Sequence, residues 1–224
     1  MFKPHHKSLT SIALMSFLVA LPAFALTALI LAMVPGQGMA MVLRQSLVGG
    51  RQCALYSVCG NATGLLVWGI SSAVGLSAVF ARSTFSYEVL KYAGVLYLLT
   101  LSSRTLLALR HASGAFDLNG KAQVRFGPAF RLGLTTNLTN AKAAVFAVAV
   151  LPQFVPRHVS LPLGIVVLAL VQVTVSTTWY VSLVLFVSRA ERLFSRPAVR
   201  RWLTAGSAVG IALLAVLLLL SSAR

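Results

Sequence analysis

The sequence predicts an all-α integral membrane protein with about six transmembrane helices. Of its 224 residues, 58% are hydrophobic and only 10% are charged, whereas soluble domains carry about 25% charged residues. Its mean hydropathy of +0.88 is too high for a soluble body of this size, which must cover its surface with polar groups. The apolar residues form long runs without the alternation of a membrane β-barrel. Helices are the remaining way to satisfy backbone groups in lipid.

Apolar runs near the roughly 20 residues that a transmembrane helix needs recur along the chain. The predicted spans are Ser11–Val34, Cys53–Phe80, Val89–Leu109, a stretch within Leu132–Val155, Leu161–Val187 and Leu203–Leu220. The first run follows Lys3 and Lys7 and contains Ala23-Phe24-Ala25, which fits a signal-peptide cleavage site. Because the run continues through Leu26–Val34, we expect an uncleaved first helix.

The longest polar connection, residues 110–131, lies near the middle of the chain. We predict a single polytopic membrane domain over residues 1–224, with a three-helix half at 1–109, a cytoplasmic linker at 110–131 and a second half at 132–224. An odd number of spans in each half makes the second half enter the membrane from the other face. If the halves are related, they form the inverted repeat found in many transporters.

Basic residues cluster between the apolar runs and produce the net charge of +16. They are most numerous after the first, third and fifth spans, beginning with Arg44 and Arg51 in a loop expected after the first span. This distribution predicts both termini outside the cytoplasm by the positive-inside rule. It also favours a lipid bilayer over a nucleic acid as the partner of the basic residues.

Each predicted half contains one interrupted apolar segment. In the first half, Pro35, Gly36 and Gln37 break a run that resumes at Met39, because proline removes a backbone donor and glycine tolerates unusual dihedral angles. In the second half, the polar stretch Asn137–Lys142 opens the fourth span. Interrupted segments at corresponding positions are the best sequence indication of a transporter's binding site. The alternative is that both are ordinary helix ends.

Lys142 is the most informative charge in this pattern, since a lysine at the bilayer centre costs about 2.5–3.5 kcal/mol on insertion scales. Its ammonium could hold the carboxylate of a small substrate, or it could reach the headgroups with no ligand role. Asn137 and Asn140 could line a solute path or cap the fourth helix. Gln37 could bond substrate or an exposed backbone carbonyl.

Other polar and small residues within the apolar runs favour helix packing. Gly60 and Gly64 allow close helix approach in the second span, as do Gly206 and Gly210 in the sixth. The fifth span is polar at Gln172, Thr174, Ser176, Thr177 and Thr178. These side chains could line a cavity, but hydrogen bonding between helices is the favoured interpretation. Asn61-Ala62-Thr63 matches a glycosylation sequon, which we discount because it lies in an apolar run.

Candidate catalytic and cofactor-binding residues are sparse. The acids Glu88, Asp117 and Glu191 all lie in loops or at span edges. The sequence contains no cluster with metal-ligand spacing, no nucleotide-binding glycine-rich loop and no catalytic triad signal. We therefore predict neither an enzyme nor a cofactor or metal site.

The chain resembles the lysine exporter family, in particular its homoserine/threonine resistance branch of amino-acid efflux proteins. The resemblance runs in order over nearly the whole chain. Its elements are Pro35-Gly36, Arg44, Gly49-Gly50-Arg51, Gly60, Gly64, Gly69, Leu90–Gly94, Tyr97-Leu98, Phe130, Gly133, Asn137–Lys142, Phe146, Leu151–Val155, Trp179-Tyr180 and the basic stretch Arg189–Arg201.

This resemblance implies a six-helix exporter of amino acids or related small metabolites in the bacterial inner membrane. It implies an ion gradient as the energy source, with protons as the expected coupling ion. The implied substrate site lies between the two breaks, with Pro35, Gly36 and Gln37 on one wall and Asn137, Asn140 and Lys142 on the other. The oligomeric state stays open, a homo-oligomer included.

Two departures from the family pattern bear on the substrate. The first break usually reads Pro-Gly-Pro followed by an acid, whereas this chain has Pro35-Gly36-Gln37-Gly38. The fourth-span motif usually reads Asn-Pro-Lys, whereas this chain has Asn140-Ala141-Lys142. A neutral or acidic solute therefore fits better than lysine. The rival hypothesis is a membrane scaffold or assembly partner on a degenerate carrier fold.

Overall fold

The computed structural model describes residues 6–34, 36–80, 84–108, 125–156, 159–187 and 197–220, and these are almost entirely helical. The elements in chain order are α1 (His6–Met33), α2 (Gln37–Phe80), α3 (Thr84–Ala108), α4 (Phe126–Leu138), α5 (Ala141–Val145), a π-helical turn (Phe146–Val150), a 3-10 turn (Leu151–Phe154), α6 (Leu161–Val187) and α7 (Pro197–Leu220). The described residues form no β-strand, so the predicted all-α class is confirmed.

Two of the described helices are long and apolar enough to cross a bilayer, at Gln37–Gly75 and Leu161–Val187. A third span results if the bent pair Phe126–Leu138 and Ala141–Phe154 counts as one. Helices α1, α3 and α7 have 28, 25 and 24 residues, which is also the length that a bilayer requires. The total of six spans and the inverted repeat stay predictions.

Helix α2 differs from the sequence prediction at its start. It begins at Gln37 rather than Cys53, so the predicted loop carrying Arg44 and Arg51 is wrong. The chain instead bends at Gly50, whose φ of 74° and ψ of 178° interrupt the helix at a single residue. Such dihedral angles are essentially restricted to glycine. The buried Met39 and Val42 keep the segment before the bend packed on the rest of the protein.

The predicted interruption of the fourth span is confirmed. Helix α4 ends at Leu138 and α5 begins at Ala141, and the segments Phe126–Leu138 and Ala141–Phe154 are bent by 56° relative to each other. A π-helical turn follows, and the Ser72 hydroxyl donates to the carbonyl of Ala147 inside it at 2.6 Å. Side chains from other helices thus satisfy backbone groups that the irregular segment leaves free, as a membrane interior demands.

Helix α2 is the centre of the packing, because it contacts both α4 and α6 extensively. At its crossing with α4, a side chain on Gly60 would collide with the Phe130 carbonyl, and one on Gly133 would collide with the Ser57 carbonyl. The glycines therefore allow the two backbones to approach closely, as predicted for Gly60. Since α4 and α6 come from the second predicted half, the two halves pack together as one body.

The predicted linker at 110–131 falls mostly outside the described residues, and its end at 126–131 belongs to α4.

The apolar core has two parts. One surrounds Phe24, Phe146 and Leu151 where α1 meets the irregular segment and α6, and the other surrounds Val42 and Val184 where α2 meets α6. Between them lies a group of buried polar side chains.

Candidate functional site

A narrow polar cavity lies where the end of α1, the middle of α2, the α4–α5 break and α6 meet. Its lining residues are Leu31, Ala32, Asn61, Leu65, Asn137, Asn140, Lys142, Ala143, Gln172, Ser176 and Tyr180. Its free volume is about 20 Å³, which is roughly the space that one water molecule needs. Most of the polar side chains on its wall are almost completely buried.

Lys142 connects the two breaks of the chain. Its side chain is only 7% exposed, and its Nζ donates to the carbonyl oxygens of Leu31 at 3.1 Å and Val34 at 2.8 Å. These carbonyls are at the C-terminal end of α1, where the last backbone acceptors lack helical partners and the helix dipole favours a cation. The alternative in which Lys142 reaches the headgroups is therefore wrong.

The Lys142 ammonium has a remaining donor in this arrangement. An ammonium carries three N–H groups, and the α1 carbonyls accept two of them. None of the described residues that line the cavity is acidic. The positive charge of Lys142 is therefore balanced there by carbonyl dipoles and by no carboxylate.

Asn140 has the predicted capping role and also lines the cavity. Its Oδ1 accepts from the backbone N–H of Lys142 at 3.1 Å, which makes Asn140 the N-cap of α5. The cap compensates one of the backbone donors that a helix start leaves free. Because the bond is to the backbone of Lys142, Asn140 also holds the segment that carries this lysine.

Asn137 is 2% exposed and links the broken span to α2. Its Nδ2 donates to Asn61 Oδ1 at 3.0 Å, and its backbone carbonyl accepts from Trp68 Nε1 at 3.2 Å. A side chain on Gly64 would lie 2.7 Å from the Asn137 Cβ, so the glycine leaves room for this asparagine. The side-chain Oδ1 of Asn137 has no hydrogen-bond partner among the described residues.

The first break contributes less to the cavity than the sequence suggested. A Cβ on Gly36 would lie 3.3 Å from Lys142 Nζ. Gly36 and Lys142, which the sequence predicts on opposite walls of one site, therefore lie close together. Gln37 is exposed and does not line the cavity, so its side chain is not brought to the other predicted residues. Pro35 lies outside the residues that the structure describes.

Helix α6 supplies site residues that sequence reasoning undervalued. Gln172, Ser176 and Tyr180 are buried and line the cavity. Gln172 is 1% exposed, and its Nε2 has no partner among the described residues. The favoured interpretation, in which this Nε2 donates a hydrogen bond to a neighbouring helix, is therefore wrong. Thr174 is exposed and bonds back to Leu170 of its own helix. The four-residue spacing of 172, 176 and 180 could have indicated this face.

Asn61 is a second site residue that the sequence did not single out as one. The sequon at Asn61 gives no indication of a site, yet Asn61 is buried, accepts a hydrogen bond from Asn137 and lines the cavity. Its place in an apolar run is the signal that could have found it, since a buried polar side chain in a transmembrane helix requires a partner.

The cavity lies near the middle of α6. The helix has 27 residues and its central residue is Thr174, between the cavity-lining Gln172 and Ser176. A helix of this length is about 40 Å long, which exceeds the roughly 30 Å hydrocarbon core of a bilayer. If α6 spans the bilayer evenly, Lys142 lies close to the midplane, where ionisable residues are costly and usually functional.

A broken span packed against continuous helices around a buried polar cavity is the architecture of a membrane transporter. The chain belongs to the LysE type translocator family, whose model matches residues 29–222. This membership indicates a multi-pass membrane transporter rather than an enzyme, and it confirms the resemblance found in the sequence.

Individual relatives match over parts of the chain. Over 134 residues the chain is 37% identical to the homoserine/homoserine lactone efflux proteins of Salmonella typhimurium and Salmonella typhi, covering 59% of this chain and 63% of each relative. The match thus spans less than two thirds of those proteins. Over 179 residues the chain is 25% identical to the membrane protein YrhP of Bacillus subtilis, covering 77% of this chain and 85% of the relative. No solved structure matches.

Proposed function

We propose that the protein is a secondary active exporter of amino acids or related small metabolites, and that the cavity beside Lys142 is its substrate site. One observation carries the proposal. A buried ammonium with a remaining donor lines the same cavity as Asn137 and Gln172, whose buried amide atoms Oδ1 and Nε2 have no described partner. Unpartnered polar groups at this depth are costly, and a polar ligand would satisfy all three.

The proposed pose follows from the chemistry of these atoms. The substrate carboxylate meets the remaining donor of Lys142, because a charge-assisted hydrogen bond is stronger than a neutral one. The substrate ammonium meets Asn137 Oδ1, an acceptor without a described partner. The Asn140 side chain bonds the backbone of Lys142, so we assign it the role of positioning this lysine. Gly36 shapes the opposite side by leaving space for the ammonium.

The relatives support the class of solute. The Salmonella proteins are named for homoserine and homoserine lactone efflux, and homoserine carries the carboxylate and ammonium that the pose requires. The match to those proteins includes only part of their length. The assignment of their class of solute to this chain is therefore part of the proposal.

Transport requires the cavity to widen. Its free volume of about 20 Å³ is much smaller than an amino acid, and the bonds from Lys142 to α1 span the two breaks. Rearrangement of α1 against α4 and α5 would open the cavity, in keeping with alternating access. The proposed energy source is an ion gradient with protons as the coupling ion, supported by the family resemblance.

The proposed location is the bacterial inner membrane with both termini in the periplasm. The excess of Lys and Arg after the third and fifth predicted spans supports this orientation. Fusions of a periplasm-active and a cytoplasm-active reporter to the C-terminus test it. Activity of the cytoplasmic reporter alone would contradict the orientation.

The function is tested by efflux in bacterial cells with and without the chain. Cells are loaded with a panel of amino acids and dipeptides, and intracellular pools are followed over time with and without an uncoupler of the proton gradient. We expect faster loss of at least one amino acid, abolished by the uncoupler and by Lys142→Ala at equal membrane abundance. Unchanged pools for every solute would overturn the proposal and favour the scaffold.

A further inference from the structure

We infer that Gln172 determines substrate specificity by donating a hydrogen bond to a neutral acceptor, such as a hydroxyl, in the side chain of the transported amino acid. The inference rests on the proposed function and adds the class of side chain that the site selects. Gln172 is neither in the predicted break motifs nor adjacent to them, and only its position on α6 places it at the cavity.

The hydrogen-bonding inventory of the cavity identifies the role. Asn140 Oδ1 is used by the Lys142 backbone, and Asn137 Nδ2 is used by Asn61. If the substrate carboxylate takes the remaining Lys142 donor and its ammonium takes Asn137 Oδ1, the unpartnered amide donor left is Gln172 Nε2. The other lining groups on α6 are the hydroxyls of Ser176 and Tyr180, which can accept as well as donate. A donor amide requires an acceptor, so the third substrate group must accept a hydrogen bond.

The charge of the cavity excludes a cationic side chain. Lys142 is the only charged residue among the described lining residues, and the substrate carboxylate neutralises it. The α-ammonium of the substrate already adds a positive charge that only the neutral Asn137 Oδ1 accepts, and a second substrate ammonium would add a further buried charge without a counter-ion, which is strongly unfavourable. The site therefore favours a side chain that is neutral and carries an acceptor.

The polar face of α6 is short. Buried positions one turn beyond Gln172 are Leu168 and Ala169, and those beyond Tyr180 are Leu183 and Val184. The polar stretch from 172 to 180 therefore covers about 12 Å of helix and ends in apolar core on both sides. This length matches one small solute, with Gln172 against the apolar wall at one end.

Three amino acids of nearly equal shape test the inference. Homoserine, norvaline and 2,4-diaminobutyrate differ only in a terminal hydroxyl, methyl or ammonium group. In the intact protein, we expect homoserine to be exported about ten-fold faster than either analogue, since an unmade buried hydrogen bond is costly. Gln172→Met should reduce the preference for homoserine over norvaline to about one. Thr174→Val, on the exposed side of α6, is the matched control and should keep it.

A second variant keeps the test decisive if Gln172→Met does not reach the membrane. Gln172→Glu supplies a carboxylate, which should raise export of 2,4-diaminobutyrate relative to homoserine. An unchanged order of the three solutes in either variant, at equal membrane abundance, overturns the inference while export itself persists. If the intact protein exports no amino acid, the proposed function fails and the inference fails with it.

Discussion

The Nζ atom of Lys142 lies 2.8 Å from the carbonyl oxygen of Val34. The lysine that follows the α4–α5 break therefore caps the C-terminal end of α1, which ends at the first break. A second bond, to the Leu31 carbonyl, makes the contact a cap on the last turn of α1. The same ammonium lines the polar cavity. A ligand that drew Lys142 toward itself would also loosen the end of α1, which would link the proposed substrate binding to movement at the first break.

Replacement of Gly36 tests the closeness of the two breaks. A Cβ at this position would lie 3.3 Å from Lys142 Nζ and 3.7 Å from its Cε, so Gly36→Ala should displace the ammonium slightly and Gly36→Val should displace it further. We expect export to fall several-fold in the first variant and below detection in the second, measured as initial efflux rate.

Gly206→Ala is the matched control for Gly36, because no atom of the described residues lies within 4 Å of a Cβ at that position. It should export at the rate of the unmodified protein. Normal export by Gly36→Val would show that Lys142 does not need its observed position.

Gly60 and Gly75 form a matched pair on α2. A side chain on Gly60 would collide with the Phe130 backbone carbonyl, whereas one on Gly75 would meet no atom within 4 Å in the part of the chain that the structure describes. Overpacking against backbone costs about 1–3 kcal/mol or more, so Gly60→Ala should lower the melting temperature in detergent by about 5–10 °C. Gly75→Ala should leave it unchanged or raise it slightly, since alanine favours helix. Equal melting temperatures would contradict the described crossing of α2 and α4.

Asn140 offers a test of the cap at the second break. Its Oδ1 accepts from the Lys142 N–H at 3.1 Å, and loss of an N-cap costs about 1 kcal/mol. Asn140→Ala should therefore reduce both thermal stability and export. Asn140→Asp should retain the cap but place a carboxylate beside the ammonium, so stability should recover while export stays low. If both properties recover together in Asn140→Asp, the amide itself has no role in transport.

Much of the fold could be predicted because uninterrupted apolar runs define helices in lipid. The predicted fifth span, Leu161–Val187, coincides with α6. The start of α2 could not be predicted, because the Gly49-Gly50-Arg51 sequence resembles a loop and the helix is interrupted only at Gly50. The buried face of the segment before Gly50 depends on contacts with α6 that local sequence does not reveal.

The site could be predicted only in part. Lys142 and Asn140 stood out because polar residues at a helix start are conspicuous, and the structure brings both to the cavity. Gln37 stood out equally but is exposed at the start of α2. Asn61 and Gln172 lie inside long helices, where the side that faces a cavity is decided by how the helices pack.

The most direct test of the central claim compares homoserine with homoserine lactone in Lys142→Met, because the lactone lacks the free carboxylate assigned to Lys142. Initial efflux rates of both solutes are measured at equal membrane abundance, with the unmodified protein as reference. The account predicts that homoserine export falls at least about ten-fold, the worth of one charge-assisted hydrogen bond, while lactone export changes less than about two-fold. Unchanged homoserine export, or an equal fall for both solutes, would contradict a contact between Lys142 and the substrate carboxylate.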